Sequence, residues 1–397
     1  MESERRVIKM SSDLKIQSRK LTLYSADFAS EREMTRVLYV AYPLLQVHDE
    51  SAGGAEQILW TLEREIARGG AKTIVAASAG SRVSGELFST GEPCTQPDDY
   101  GRRRNEHEDR VVEFVRQRAR EGNPFDLIHD HSGSFWRRAA EVDTDVLATL
   151  HLPRSFYPAE NFNDVPPNVS FNCVSDSQAR SFADLESLAD VVPNGIALDC
   201  FKPVADTAAD KGRQGLLWLG RICEEKAPHL ALDIAERTQI PITLAGQVYP
   251  FSYHQQYFER EVAPRLRAIP NARFVSAPRA EVKRRLLREA QALLITSLAA
   301  ETSSLVAMEA AASGTPVIAF RKGALAEVVR DGVTGFLVED VIQAVLAVQK
   351  TSSIGHKTCV QHAQKNFSAV KMAEKYSQLY EQLAHPEKLH RFVQETA

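Results

Sequence analysis

From Met34 onward, short apolar runs alternate with stretches in which every third or fourth residue is apolar. VLYVAYPL (37–44) is an unbroken apolar run of strand length. AEQILWTLEREIARGG (55–70) sets Ile58, Leu62 and Ile66 on one helical face, and KTIVAAS (72–78) holds another apolar run, Ile74 to Ala77. Strands without polar alternation are buried on both faces, so strand, helix and strand predict a parallel sheet covered on both sides. The pattern continues with a helix over EDRVVEFVRQRARE (108–121) and strands over FDLIHDH (125–131), VLATLHL (146–152) and VSFNCVS (169–175). The segment 201–215 is small and polar, and the rhythm then restarts with GLLWLGR (215–221), HLALDIAERT, ITLAG (242–246), a helix around YFEREVAPRL, ARFVS, EVKRRLLREA, ALLITS (292–297), a helix, and VIAF.

The chain therefore divides into a tail over 1–33 with no apolar period, a first domain over 34–205 and a second over 206–397. Met34 stands as an alternative start. The fold class is α/β, with two doubly wound Rossmann-like domains facing a cleft. The last helices, near QAVLAVQK and MAEKYSQLYEQL, are candidates to pack back across the junction. Open parallel sheets bind ligands beyond the carboxyl ends of their strands, which places the expected site between the domains.

Charge and cysteine usage narrow the function. Lys plus Arg number 48 against 52 Asp plus Glu, a net charge of -4 that provides no general attraction for nucleic acid or anionic lipid. Any anion site must be local. The 5 cysteines form no CxxC pair, so neither a zinc motif nor a disulfide framework is expected. No apolar run reaches the roughly 18 residues of a membrane span, and no apolar signal core follows the N-terminus. A cytoplasmic protein is expected, with peripheral membrane contact left open.

The chemistry concentrates in ETSSLVAMEAAASGTPVIAF (301–320). The strand ALLITS leads to Glu301, Ser303 or Ser304 can cap a helix that runs through Glu309, and Gly314 with Pro316 ends it. Backbone N–H groups near Ser303, Ser304 and Leu305 then face the cleft as an anion cradle. Glu301, just outside the helix, suits sugar hydroxyls. Glu309 lies about 12 Å further on if each residue rises 1.5 Å, so the two carboxylates would address different parts of one long ligand.

This arrangement resembles the E-x7-E signature of the family-4 retaining glycosyltransferases with the GT-B fold. Further segments are similar in order: SAGGAEQILWTL, FDLIHDHS, ATLHLP, VVPNGIALDCFKP, LGRICEEKAPHLALDIA and GALAEVVRDGVTGFLVED. The resemblance implies Arg221 and Lys226 on a donor diphosphate, Glu301 at the donor-sugar hydroxyls, Glu309 on the ribose and His151 beside the reacting carbon. Gly54 would let backbone approach the ligand. It implies a hexose carried by a nucleotide diphosphate donor to a hydroxyl acceptor (a glycan, a lipid-linked sugar or a small molecule), with no cofactor and no bound metal. The departing diphosphate gains negative charge, which an Arg, a Lys and a helix N-terminus answer. The sequence departs from the family pattern at Ser304, at Ala227 where Gly is common, at Ala197, and in GQVYPFSYH (246–254), where Tyr249 and Phe251 suit either ring stacking or local packing.

Plainer readings compete at several positions. His129 and His131 share a strand face but have no third ligand nearby in sequence, and Asp143-Thr144-Asp145 precedes its strand and reads as a turn. Arg102, Arg103 and Arg104 read as a solvated loop, and KRRLLRE (283–289) as the wet face of a helix. Two other functions remain open: a nucleotide-sugar epimerase or phosphorylase on a similar scaffold, and a non-catalytic nucleotide-sugar-binding partner.

Overall fold

A computed structural model describes residues 35–384 except 52, 95, 158 and 202–212. The expected tail and most of the polar linker fall outside the described residues. The first sheet contains β1 (Arg36–Val40), β2 (Lys72–Ala77), β3 (Glu86–Ser89), β4 (Leu127–Asp130), β5 (Val146–Leu150), β6 (Val169–Cys173) and β7 (Leu188–Val191). The second contains β8 (Leu216–Arg221), β9 (Ile242–Gln247), β10 (Ala272–Ser276), β11 (Ala292–Ile295), β12 (Val317–Phe320) and β13 (Gly335–Val338). Every neighbouring pair is parallel, in the orders β3-β2-β1-β4-β5-β6-β7 and β10-β9-β8-β11-β12-β13.

Alternation along the central strands explains both the covered sheets and the apolar runs. In β1, Leu38 and Val40 enter one core while Val37 and Tyr39 enter the core on the opposite face. In β8, Leu217 faces one core and Leu216 and Trp218 the other. The strands absent from the sequence reading are the edges β3, β7 and β13, of which β3 and β7 are at most half-buried. An edge strand needs no apolar run, so its pattern is weak. The helix expected around YFEREVAPRL is three pieces, Ser252–Tyr257, a π turn over Phe258–Val262 and Ala263–Ala268. Pro264 lies just beyond that turn, where a missing N–H interrupts the helical ladder.

The arginine run is not a loop. Arg102, Arg103 and Arg104 lie in the helix Tyr100–Arg120, and Arg103 is buried, donating to the Glu92 carbonyl at 2.9 Å. The helix was under-read because its first turns carry almost no apolar residue.

Only one of the two C-terminal helices crosses the junction. Val341–Gln349 stays on the second sheet through Ala344, Ala347 and Val348. Ala369–Ala384 returns to the first domain, where Met372, Tyr376, Leu379 and Tyr380 pack with Val37, Tyr39 and Leu127. No helix among the described residues is long and apolar enough to cross a membrane.

Candidate active site

Strand order reverses beside β1 and β4 in the first sheet and beside β8 and β11 in the second, and these switch points face one another across the cleft. Several contacts among the described residues span it. Thr302 donates its hydroxyl to the main-chain carbonyl of His151 at 2.9 Å. The Glu327 carboxylate accepts from the backbone N–H groups of Asp176 (3.1 Å) and Ser177 (2.6 Å), at the start of the helix Asp176–Ser181. Gly54 opens the helix Gly54–Arg68 opposite Leu305. A methyl group on Gly54 would meet only the Leu305 side chain, at 3.9 Å.

On the second-domain side, Arg221 ends β8 and the following loop brings Lys226 to Glu301, with Nζ to Oε1 at 2.6 Å. The Ser297 hydroxyl also donates to Oε1, and the Glu301 side chain is 9% exposed. The Glu301 backbone is fixed as well. It bridges Gly323, and its carbonyl accepts from the Ala324 N–H at 2.7 Å. Gly323 has a φ of 57°, and a Cβ there would collide with the Glu301 main chain, so glycine is required. Ala227 ends the Lys226 loop in the left-handed region, φ 46° and ψ 53°, with its carbonyl accepting from Thr296 Oγ1 at 2.8 Å.

The helix predicted within the motif is Leu305–Ala312. Ser304 occupies its N-cap position, but the expected side-chain cap is absent, and the buried Ser303 hydroxyl has no hydrogen-bond partner either. Ser304 has φ -141° and ψ 90°, and it makes no side-chain bond to the first turn. Among the described residues, no protein group accepts from the backbone N–H of Ser303, Ser304 or Leu305. The donors thus remain available to an anion.

Glu309 is 4% exposed and pairs with Lys283 at 2.7 Å, while Lys283 also lies over the Phe201 ring. The two acids therefore stand apart, each with its own lysine. Lys283 corrects the reading of 283–289 as a purely wet face, since its ammonium turns inward to a buried carboxylate.

On the first-domain side, three imidazoles form a chain. His151 Nε2 lies 2.9 Å from His131 Nδ1, and His131 Nε2 lies 3.3 Å from His129 Nδ1. His129 then reaches Thr149 Oγ1 and the Tyr380 hydroxyl, each at 2.7 Å. The chain runs from the cleft to the returning C-terminal helix. The third imidazole, which the local sequence lacks, comes from the end of β5. Burial pushes His151 down to about 4 and holds His131 and His129 well below the ordinary histidine range, so all three are neutral near pH 7. Asp130 points the other way and accepts from the backbone N–H groups of Ser132 and Trp136, with burial raising it to about 6.

Sequence reasoning passed over Glu56. It lies in the first turn of Gly54–Arg68, is 5% exposed, and burial raises its carboxyl to about 7. A side chain at Gly53 would run into that carboxyl, which accounts for the first glycine of the pair. An acid two positions after Gly-Gly was the available signal, but its burial depends on the opposing wall. In the insertion, Tyr249, Phe251, Tyr253 and His254 contact one another, with Phe251 and Tyr253 stacked at 5.6 Å and Tyr253 and His254 at 4.3 Å between ring centroids.

Residues 213–351 match the profile of the family described as glycosyl transferases group 1. The matched residues lie within the second domain, and the whole chain carries the GT-B fold. A D-inositol 3-phosphate glycosyltransferase of Streptomyces scabiei is 28% identical over 254 residues, 54% of this chain and 57% of the relative, so the chain spans little more than half the length of that curated protein. Among solved structures, sucrose-phosphate synthase from Thermosynechococcus elongatus superposes with a TM-score of 0.71 at 21% identity, covering 88% of this chain and 99% of that one. Anabaena HepE, solved with UDP and glucose, superposes with a TM-score of 0.67 at 16% identity, covering 87% and 99%. The matched span contains Arg221, Lys226, Glu301, Ser303, Ser304, Leu305 and Glu309, whereas Gly54 and His151 lie outside it.

Proposed function

We propose that this protein transfers a hexose from a nucleoside diphosphate sugar to a hydroxyl acceptor with retention at the anomeric carbon. One observation carries the reading: Thr302 holds the His151 main chain against the loop of the Lys226–Glu301 pair, beside a helix start with unsatisfied N–H groups. A diphosphate at that helix start would meet Arg221, Lys226 and the amides of Ser303, Ser304 and Leu305. These stabilise the charge that grows as the bond from anomeric carbon to phosphate oxygen breaks. Glu301 would accept from donor-sugar hydroxyls and Glu309 would serve the ribose through the carboxylate oxygen opposite Lys283. No cofactor takes part, and the charge on the diphosphate is met without a metal at that position.

Glu301 is engaged by Lys226 and Ser297 and is not free to attack carbon. The acceptor oxygen therefore forms its bond on the face the diphosphate leaves, and the acceptor proton passes to the departing phosphate oxygen. Neutral His151 offers a hydrogen bond to the sugar rather than a charge. Cleft closure keeps water from competing.

The name of the Streptomyces relative supports a phosphorylated polyol as acceptor. The first-domain rim suits one, because Arg104 and Arg137 both act on Tyr100, close to Tyr42 and the Glu56 carboxyl. We place the activity in the cytoplasm. The test supplies UDP-, GDP- and ADP-hexoses with polyol phosphates, glycans and lipid-linked sugars, and follows diphosphate release and the product anomer. Acceptor-dependent release with a retained anomer is expected. Donor turnover without acceptor would indicate an epimerase, and donor binding without any turnover a binding partner.

A further inference from the structure

The insertion after β9 carries an anomaly that sugar transfer does not explain. His254 is 1% exposed, and neither ring nitrogen has a hydrogen-bond partner among the described residues. A buried imidazole has given up water at both nitrogens, and such groups in folded proteins almost always find a replacement. The ring is aimed at one. A His254 nitrogen, the Cys223 sulfur and a Glu225 carboxylate oxygen all lie within 4.8 Å of one another. Cys223 is fully buried, and Glu225 is half-buried beside it.

We propose that Cys223, Glu225 and His254 bind a divalent ion of the zinc class and so clamp the aromatic insertion to the loop beyond β8. The donor set selects the ion. A thiolate and an imidazole suit zinc, whereas magnesium and calcium take oxygen ligands. Three protein ligands leave the fourth tetrahedral position to water. A thiolate and a carboxylate together neutralise a doubly charged ion, so the filled site is tolerable in a buried setting even with the Arg221 charge close by.

The protonation states fit. Burial and the Arg221 charge both lower the His254 pKa, leaving the ring neutral as a metal ligand must be. Burial pushes the Cys223 thiol up to about 11, so metal uptake releases a proton and strengthens as pH rises. Burial works against the Glu225 carboxylate, but hydrogen bonds from its own backbone N–H and the Cys223 thiol, with Arg221, hold it below the usual range and ionised. Without an ion, the thiol has only a 3.6 Å contact to the Arg221 carbonyl and the neighbouring carboxylate. The loop so clamped follows Arg221 and carries Lys226, yet the inference does not depend on sugar transfer, because its readout is metal binding alone.

The test uses the full chain stripped by a chelator and titrated with zinc against an indicator dye, then with cobalt(II). One zinc per chain is expected. The cobalt form should show a thiolate-to-metal charge-transfer band in the near ultraviolet and visible bands of a four-coordinate ion. His254→Ala and Cys223→Ser should each weaken binding by more than the roughly 10–100-fold that outer-shell changes cost. If Cys223→Ser fails to fold, Glu225→Gln and the cobalt spectrum of the unsubstituted chain decide. Less than half an equivalent of zinc, a cobalt form without a thiolate band, or folded variants with undiminished affinity would each overturn the proposal.

Discussion

Thr302 donates its hydroxyl to the His151 carbonyl at 2.9 Å, so the residue after the motif's first acid is bonded across the cleft to the histidine that follows β5. The two halves of the proposed site are thus joined by a hydrogen bond between the domains. Glu327, bonded to the N-terminus of Asp176–Ser181, adds a second such latch with the charge a helix start favours.

Thr302→Val keeps the shape and deletes the donor. Transfer should fall by about tenfold, or 1.4 kcal/mol, with donor KM little changed, because the bond joins the two domains rather than holding the donor. Steady-state kinetics over donor concentration check this, and an unaltered kcat would show that closure does not use the contact.

Lys226→Ala and Glu301→Ala should each lower transfer by well over tenfold, more than about 1.4 kcal/mol. Lys226→Ala also strands a carboxylate with a 9% exposed side chain, so its melting temperature should drop as well. Single-turnover rates and thermal unfolding separate the two effects. Unchanged rates in both variants would end the proposed mechanism.

Acidification should destabilise the fold. His107, His129, His131 and His151 have folded pKa values below the ordinary 6.5, to about 3 for His107 and about 4 for His151. Between those values and 6.5 the unfolded chain binds protons that the folded chain refuses, so stability falls with pH through that window. Glu56 and Asp130, raised by burial to about 7 and about 6, work in the opposite direction. Four histidines outweigh two carboxyls, giving a net loss of roughly a few kcal/mol between pH 7 and 5. Denaturant melts across that range measure it, and a flat profile would contradict the burial of the imidazole chain.

Tyr380→Phe removes the hydroxyl 2.7 Å from His129 Nδ1 at the far end of the imidazole chain. Folding should survive, since the ring still fills the core. The change should lower kcat several-fold and alter its pH profile, because the hydrogen bond on one imidazole sets the tautomer of the next. A variant with native kcat and pH profile would show that the chain is only structural.

Ala227→Gly relieves a left-handed backbone at the end of the Lys226 loop. The steric gain of about 1–2 kcal/mol is partly offset by the greater freedom of glycine in the unfolded chain. A net stabilisation of up to about 1 kcal/mol is expected from chemical denaturation.

Local pattern was enough for the central strands, the helices between them and the shared face of His129 and His131, because side-chain alternation and helical period are properties of a single element. The acids eight positions apart and the helix that carries the second of them were legible for the same reason. What the sequence could not specify was which strand ends meet. His151 joins His131 because β4 and β5 are adjacent, Lys283 reaches Glu309 because two helices pack side by side, and Cys223, Glu225 and His254 converge because β8 and β9 are neighbours. Burial of Glu56 and the return of Ala369–Ala384 likewise depend on an opposing surface contributed by distant residues. The sequence determined the elements and their chemistry, while the sheet orders and domain closure decided which of those groups share a site, because hydrogen bonds and charges act over a few ångströms of space whatever their separation along the chain.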